Sequence, residues 1–351
     1  MSIPKSGLPP HMVKFGTTDL WVSKICQGTA FRNMPRSPEN TIGLKVLQHC
    51  LDVGQNFFDS SNGYGMGGAE KLLGKAIAGR RNEAVICTKL IRHDVTENTK
   101  EEDVLEPAKY SRELVFNNLD KSLQRLGTEY VDLILLHHRD GVDNRLKKLE
   151  PGHTKRIMSI SGDSPPTPPE EIVDTMDALV KSGKARYWGV SGRNIEEVEE
   201  LLDISSRNGK EPVSCLQNGY SLIGRDATTE GLFPLLRKTG LGVQAIGPHS
   251  AGVLTKPEIS SFIDNTPNLR PKLSELINVV DKVALELNVP RSQVNVAWVL
   301  SHPEITTSLA AAETPEHVND NLAGAMLEIP DNLLNKLNVA SDEFMSLISE
   351  T

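Results

Sequence analysis

Four side chains in the first half of the chain could together move a proton onto an oxygen: Asp59, Tyr64, Lys89 and His137. Each ends a short apolar run or follows one within a few residues. Hydride transfer to a carbonyl needs a proton donor at the developing alkoxide. A tyrosine can serve near neutral pH only if its pKa is brought down from about 10. A lysine ammonium beside the phenol favours the phenolate, and a carboxylate beside that lysine keeps it charged and in place. A histidine nearby can orient the carbonyl or relay the proton. Each residue also has a plainer use. Asp59 could cap the loop that follows it. Tyr64 could be a loop aromatic, Lys89 a solvent-exposed strand end, and His137-His138 a metal-ligand pair. No HxH or HExxH spacing supports a metal, and none is expected. The joint pattern at successive strand ends favours one shared site.

The elements that would position them alternate. Residues 56–59 are a short apolar strand, and the polar, glycine-punctuated loop after it carries Tyr64 and opens a helix over 68–78. Strand 84–89 precedes helix 111–126, and strand 131–136 precedes helix 169–181. Strand 186–190 precedes helix 195–205, and strand 213–217 precedes helix 230–238. Strand 242–246 precedes helices 273–287 and 292–300, and strand 306–310 precedes helix 315–322. With strand 24–29 and helix 37–53 these make eight strand–helix units, the pattern of a parallel (β/α)8 TIM barrel. Several helices stop at Gly54, Gly79, Gly127, Gly183, Gly240 or Asn288, residues suited to a left-handed end. Residues 13–15 and 20–22 flank Gly16-Thr17-Thr18-Asp19 and read as an N-terminal hairpin. A last amphipathic helix over 331–350 lies beyond the barrel and could close its bottom or lean on the site. The 351 residues read as one domain with its core at 13–326. No G-x-G-x-x-G follows the first strand, so dinucleotide binding of the doubly wound kind lacks support.

Two connections, 139–168 and 247–271, are long enough to be lids or binding loops on the strand-exit side. The first carries Arg145, Lys147, Lys148, Lys155 and Arg156, a solvated face or a pocket for an anionic ligand. Trp188 and His249 sit near strand exits, and the two long connections could wall a pocket.

Bulk composition bounds the partners. Hydrophobic residues are 38% and charged residues 24%, which suits a globular chain with a full core. Acids exceed bases, with a formal net charge of −8. That sign argues against nucleic acid or an anionic membrane. No run has the length of a membrane span or a signal peptide, and a cytoplasmic location is expected by default. Cys26, Cys50, Cys87 and Cys215 have no C-x-x-C spacing and are read as buried thiols. Oligomeric state is not legible.

The chain resembles the aldo-keto reductases from about residue 13 to 326. The resemblance rests on Phe57-Phe58-Asp59-Ser60-Ser61-Asn62-Gly63-Tyr64-Gly65 with Glu70-Lys71-Leu72-Leu73-Gly74, and on Cys87-Thr88-Lys89. It rests also on Tyr130-Val131-Asp132-Leu133-Ile134-Leu135-Leu136-His137, and on Gly183-Lys184-Ala185-Arg186 leading to Gly189-Val190-Ser191. It implies a nicotinamide cofactor, a small carbonyl or alcohol (or sugar) substrate, and a catalytic tetrad of Asp59, Tyr64, Lys89 and His137. By the same resemblance Ser191 and Gln217 hold the nicotinamide carboxamide, Gly28 and Thr29 line the cofactor, and Asn321 approaches the adenine. Three departures matter. Gly192 stands where the family often has Asn. Ile246 stands where an aromatic commonly stacks on the nicotinamide. Residues 311–317 lack the Lys or Arg that usually grips a 2′-phosphate, and Glu313 brings a negative charge there. A carboxylate repels a phosphate but accepts from a free ribose hydroxyl, so NAD is expected over NADP. Arg193, Lys256 or Arg270 could supply the missing cation. The family also contains channel-associated members, so a redox-sensing regulatory subunit with little turnover is the alternative.

Overall fold

The computed structural model describes residues 9–91, 93–96, 99, 109–137, 166–225, 227–256 and 269–349. His138, the basic cluster at 145–156 and most of the two long connections lie outside the described residues. The chain opens with β1 (Met12–Lys14) and β2 (Trp21–Ser23), which pair antiparallel as the expected hairpin. Next come β3 (Ile25–Gly28), β4 (Phe57–Asp59), β5 (Val85–Leu90), β6 (Val131–Leu136), β7 (Ala185–Ser191) and β8 (Cys215–Ser221). A two-residue strand, β9 (Gly224–Arg225), folds back antiparallel onto β8. Last are β10 (Gly242–Ile246) and β11 (Thr307–Leu309). From β3 to β8, consecutive strands pair in parallel. β10 bonds to both β8 and β11, and β11 returns to β3, so the eight parallel strands close into a barrel.

Strand parity divides the core. Cys26, Phe57, Cys87, Leu133, Leu135 and Cys215 point inward and meet Phe15, Leu20 and Val22 of the hairpin region. Residues of the other parity, among them Phe58, Ile86, Ile134, Trp188, Val190 and Leu216, pack under the helices. Both faces are covered, which is why these strands read as unbroken apolar runs instead of alternating ones. The hairpin plugs the end where the strands begin. A Cβ on Gly242, the first residue of β10, would stand 2.3 Å from Phe15 Cε1. Arg186, near the start of β7, reaches Asp19 of the hairpin turn at 2.6 Å and the buried Asp132 of β6 at 3.0 Å.

The barrel helices are α1 (Thr41–Asp52), α2 (Gly68–Ala76), α3 (Arg112–Leu126), α4 (Pro169–Lys181), α5 (Ile195–Arg207), α6 (Ala227–Thr239), α7 (Arg270–Leu287), α8 (Arg291–Leu300) and α9 (Pro315–Met326). Asn40, Ser111 and Asn194 cap α1, α3 and α5 by accepting from the N–H groups of Gly43, Leu114 and Glu197. Each cap satisfies a donor that has no partner within its helix. Gly127 (φ 66°) and Asn288 (φ 53°) take the left-handed turn expected at the ends of α3 and α7. α6 starts one turn before the expected position and carries Pro234 inside it. A proline costs least in a first turn, which draws a reading from sequence toward a later start.

The last helix, α10 (Asp331–Ser349), lies along the flank. Its Asn338 accepts from Trp298 Nε1 of α8 at 2.8 Å, and Ser341 donates to the carbonyl of Leu222, just past the exit of β8, at 2.7 Å. It therefore does not close the bottom, which the hairpin occupies.

Candidate active site

β4 and β5 are neighbours, in register at Asp59 and Cys87. Asp59 and Lys89 therefore both point inward where their strands end. Lys89 Nζ donates to Asp59 Oδ2 at 2.5 Å and to the carbonyl of Ser60 at 2.9 Å, with both side chains buried. The same ammonium stands 4.9 Å from the centroid of the Tyr64 ring. Tyr64 follows in the loop after β4, and the His137 ring at the exit of β6 meets it edge-on, 5.5 Å between centroids. The four residues singled out in the sequence thus converge at one end of the barrel.

Their electrostatics follow from burial. Desolvation pulls the Lys89 pKa down, but Asp59, Tyr64 and Cys87 together outweigh it, Asp59 foremost, and hold the ammonium well above its ordinary value. Desolvation raises the Tyr64 phenol, Lys89 pulls it down, and Asp59 pushes it up again. Lys89 acts in the expected direction, yet the net shift is upward. In this site Tyr64 is a phenol that keeps its proton. Three inward thiols, Cys26, Cys87 and Cys215, are also raised by burial first. They stay neutral and add no competing charge.

The remaining expected residues divide into two groups. Gln217, on β8, donates from Nε2 to Asp59 Oδ1 at 2.7 Å and to Gln244 Oε1 at 2.5 Å. It is wired directly to the ion pair. Ser191 donates to the carbonyl of Gln217 at 3.0 Å, so these two sit side by side at the exits of β7 and β8. Thr29 is fully buried; its N–H donates to the Asp59 carbonyl at 2.9 Å and its Oγ1 lies 2.9 Å from Ser60 Oγ. Gly28 ends β3, where an added Cβ would press Leu309 at 3.1 Å. Ile246 ends β10, partly exposed. Two others have partners that the sequence did not indicate. Glu313 accepts from the backbone N–H of Arg32 at 3.1 Å and of Asn33 at 3.0 Å, and from Asn33 Nδ2 at 2.7 Å. Its carboxylate is engaged with the loop after β3. Asn321, on α9, is buried, with its Oδ1 3.2 Å from His249 Nε2 and its Nδ2 toward the Ala310 carbonyl. Trp188 points away from the barrel interior. It faces the helices, fully buried, and donates from Nε1 to the Glu211 carbonyl at 2.8 Å.

Reasoning from the sequence missed several polar residues. Ser61 Oγ lies 3.1 Å from His137 Nδ1. Gln244 anchors Gln217. Asn218 accepts from the Gly192 N–H at 2.9 Å and donates to the Arg193 carbonyl at 3.1 Å, so an amide from the next strand serves the exit where Gly192 removed one. Ser61 had a signal, its fixed place two residues after Asp59. Gln244 and Asn218 had none beyond a polar residue inside an apolar run. The buried Glu70 of the resemblance motif bonds Thr88 Oγ1 at 2.6 Å and Arg125 Nε at 2.7 Å, tying α2 to β5 and α3.

The family model for the aldo/keto reductase family matches residues 24–341. The chain belongs to the aldo/keto reductase family. Among its relatives is a Schizosaccharomyces pombe protein named for a voltage-gated potassium channel subunit beta, 27% identical over 86% of this chain and 83% of that one. Another is the versiconal hemiacetal acetate reductase of Aspergillus parasiticus, 26% identical over 90% of this chain and 92% of that one. A thermostable aldo-keto reductase solved with the inhibitor epalrestat has the same fold, with a TM-score of 0.70, 22% identity, and coverage of 94% of this chain and 99% of that one.

For an aldo/keto reductase the question is whether the strand exits suit a nicotinamide dinucleotide. Gly192, Gly247 and Gly252, after the ends of β7 and β10, and Gly219, within the last half of β8, each have open space where a Cβ would stand. They leave bare backbone next to Ser191 and Gln217. In the same loop His249 Nδ1 is buried with no hydrogen-bond partner among the described residues. Open backbone and an unsatisfied buried nitrogen fit a long, flat, polar ligand laid along these exits.

Proposed function

We propose that this protein is a nicotinamide-dependent oxidoreductase that interconverts a small aldehyde or ketone and its alcohol, with Tyr64 as acid and base. The observation that carries the reading is the buried Lys89–Asp59 pair, closed at 2.5 Å, whose ammonium stands 4.9 Å from the centroid of the Tyr64 ring. A bound nicotinamide supplies or accepts the hydride. Tyr64 gives its proton to the carbonyl oxygen as negative charge develops there. Lys89 stabilises the phenolate that remains, and Asp59 with the Ser60 carbonyl keeps the ammonium in place. Gln217 holds the other oxygen of Asp59, which fixes the carboxylate toward Lys89. His137, edge-on to Tyr64, orients the substrate oxygen. Ser191 and Gln217 are the residues proposed to hold the carboxamide. The test is Tyr64→Phe, which should retain cofactor binding and lose about 10²–10⁴-fold in turnover. Turnover near that of the unaltered protein would remove Tyr64 from the role.

Of the two cofactors, NAD(H) is the proposed preference. The support is the charge of residues 310–317, which contain no Lys or Arg. Hydrogen bonds from Arg32 and Asn33 lower the pKa of Glu313 against its desolvation, so its negative charge persists. Because that carboxylate is already engaged, repulsion of a 2′-phosphate is a stronger ground than a bond to the ribose. Arg32 is exposed at the same place and joins Arg193, Lys256 and Arg270 as a cation that NADP(H) could recruit.

The name of the Schizosaccharomyces pombe relative supports a second reading, a cofactor-binding regulatory subunit. Tight cofactor binding without turnover on a panel of carbonyls and alcohols would favour it. Among the described residues no helix is long and apolar enough to cross a membrane.

A further inference from the structure

Ser61 is fully buried in the loop between Asp59 and Tyr64. Three polar groups converge on its hydroxyl. The Lys89 carbonyl lies at 3.0 Å, the Gly63 N–H at 3.1 Å and His137 Nδ1 at 3.1 Å. A hydroxyl carries one proton and two lone pairs. A carbonyl can only accept and an amide N–H can only donate. The proton therefore bridges to Lys89, and Gly63 takes one lone pair. The last lone pair is satisfied only by a donor. The imidazole can be that donor, because it can carry a proton on Nδ1. If Ser61 instead donated to Nδ1, its oxygen would face the Lys89 oxygen at 3.0 Å with no proton between them. The second lone pair of that carbonyl is already used by the Asn62 N–H at 3.1 Å.

We propose that Ser61 is a positioning residue that fixes the proton of the neutral His137 ring on Nδ1 and so makes Nε2 a hydrogen-bond acceptor. The consequence rests on the oxidoreductase reading above and sharpens it. A neutral ring with a lone pair on Nε2 accepts from a hydroxyl and offers nothing to a carbonyl oxygen. With the ring neutral, the site is then set for the alcohol member of the substrate pair. A carbonyl is bonded by His137 only when the ring carries both protons. The titratable groups that face this ring among the described residues are Tyr64, in direct contact, and behind it Lys89 and Asp59. Tyr64 and Lys89 are both shifted upward and so stay protonated through the neutral range.

The experiment is nitrogen-15 NMR of the histidine-labelled full chain at a pH where the ring is neutral, with His137 assigned by its loss in His137→Gln. Nδ1 should show the protonated type of shift and Nε2 the unprotonated type. In Ser61→Ala the ring should move toward the opposite tautomer. At the same pH, Ser61→Ala should raise KM for an alcohol and lower it for the matching carbonyl, each by roughly 3–10-fold, the scale of one hydrogen bond. Ser61→Thr, which keeps the hydroxyl, should restore the native shifts. A proton found on Nε2 in the unaltered protein would overturn the proposal without need of any variant, and so would ring shifts indifferent to Ser61→Ala in a protein that stays folded. The shifts are read without turnover. A chain with Nδ1 protonated but no activity would therefore keep the role of Ser61 and sink the oxidoreductase reading.

Discussion

A half-buried phenol set beside an ammonium that is itself paired with a carboxylate answers to three influences at once. At Tyr64 the largest is desolvation, which favours the protonated form. Lys89 opposes it and Asp59 reinforces it. The sign of the net shift sets the pH behaviour. A raised pKa keeps the proton on Tyr64 to higher pH, so the acid needed for carbonyl reduction is present throughout the neutral range. The kcat for reduction should stay flat through neutrality and fall only above about 10, the ordinary phenol value. The kcat for alcohol oxidation needs the phenolate and should climb over that same alkaline range. Profiles of kcat in both directions measure this, and a reduction limb that fell near pH 7 would contradict it. Any effect of His137 belongs to KM, which separates the two groups in one data set.

At the scale of elements, the site is held by side chains that join one strand exit to the next. Thr29 ties the exit of β3 to that of β4. Ser61 ties the loop after β4 to β5 and to His137 at the exit of β6. Gln217 ties β8 to β4, and Gln244 ties β10 to β8. Glu313 does the same for β11 and β3, since it gathers three N–H donors from Arg32 and Asn33. One residue thus both latches a loop and sets the local charge. Replacing it separates these roles. Glu313→Gln removes the charge but keeps an acceptor, whereas Glu313→Lys adds a cation and loses the latch. If charge governs cofactor choice, kcat/KM should favour NADH in the unaltered protein. The ratio should shift toward NADPH in Glu313→Gln and further in Glu313→Lys. A native preference for NADPH, or ratios that do not move, would show that the segment after β11 does not decide the cofactor.

For the molecule as a whole, the two ends of the barrel have opposite tasks. The end where the strands begin is closed and apolar, with Phe15 wedged against Gly242 and the inward Phe57, Cys87, Leu133 and Leu135 above it. The end where they finish is open and polar. The closed end keeps the strands in register so that Asp59, Lys89, Gln217 and Gln244 meet within hydrogen-bonding distance. Gly242→Ala would place a methyl group between 2.3 and 2.7 Å from the Phe15 ring atoms. Overpacking of this kind costs about 1–3 kcal/mol. A chemical denaturation series should show that loss, while the pH profile of the folded enzyme stays as it was. Unchanged stability would mean that the hairpin yields at no cost and does not brace the barrel.

The parts that depend on a few neighbouring residues were legible in the sequence. Apolar runs covered on both faces gave the eight strands, and Gly127 and Asn288 marked helix ends because a left-handed residue is a local demand. The spacing from Asp59 to Tyr64 and the positions of Lys89 and His137 at successive strand ends pointed to a shared site because parallel strands of a barrel finish on one side. What tertiary structure alone decided were partnerships between distant side chains. Gln217 reaches Asp59 across 158 residues, and Glu313 reaches Arg32 across 281. Nothing local to an amide or a carboxylate says which group it will meet once β11 returns to β3. The same holds for Tyr64. Its neighbours Lys89 and Asp59 were readable, but the balance between their charges and desolvation depends on how deeply the closed barrel encloses the phenol.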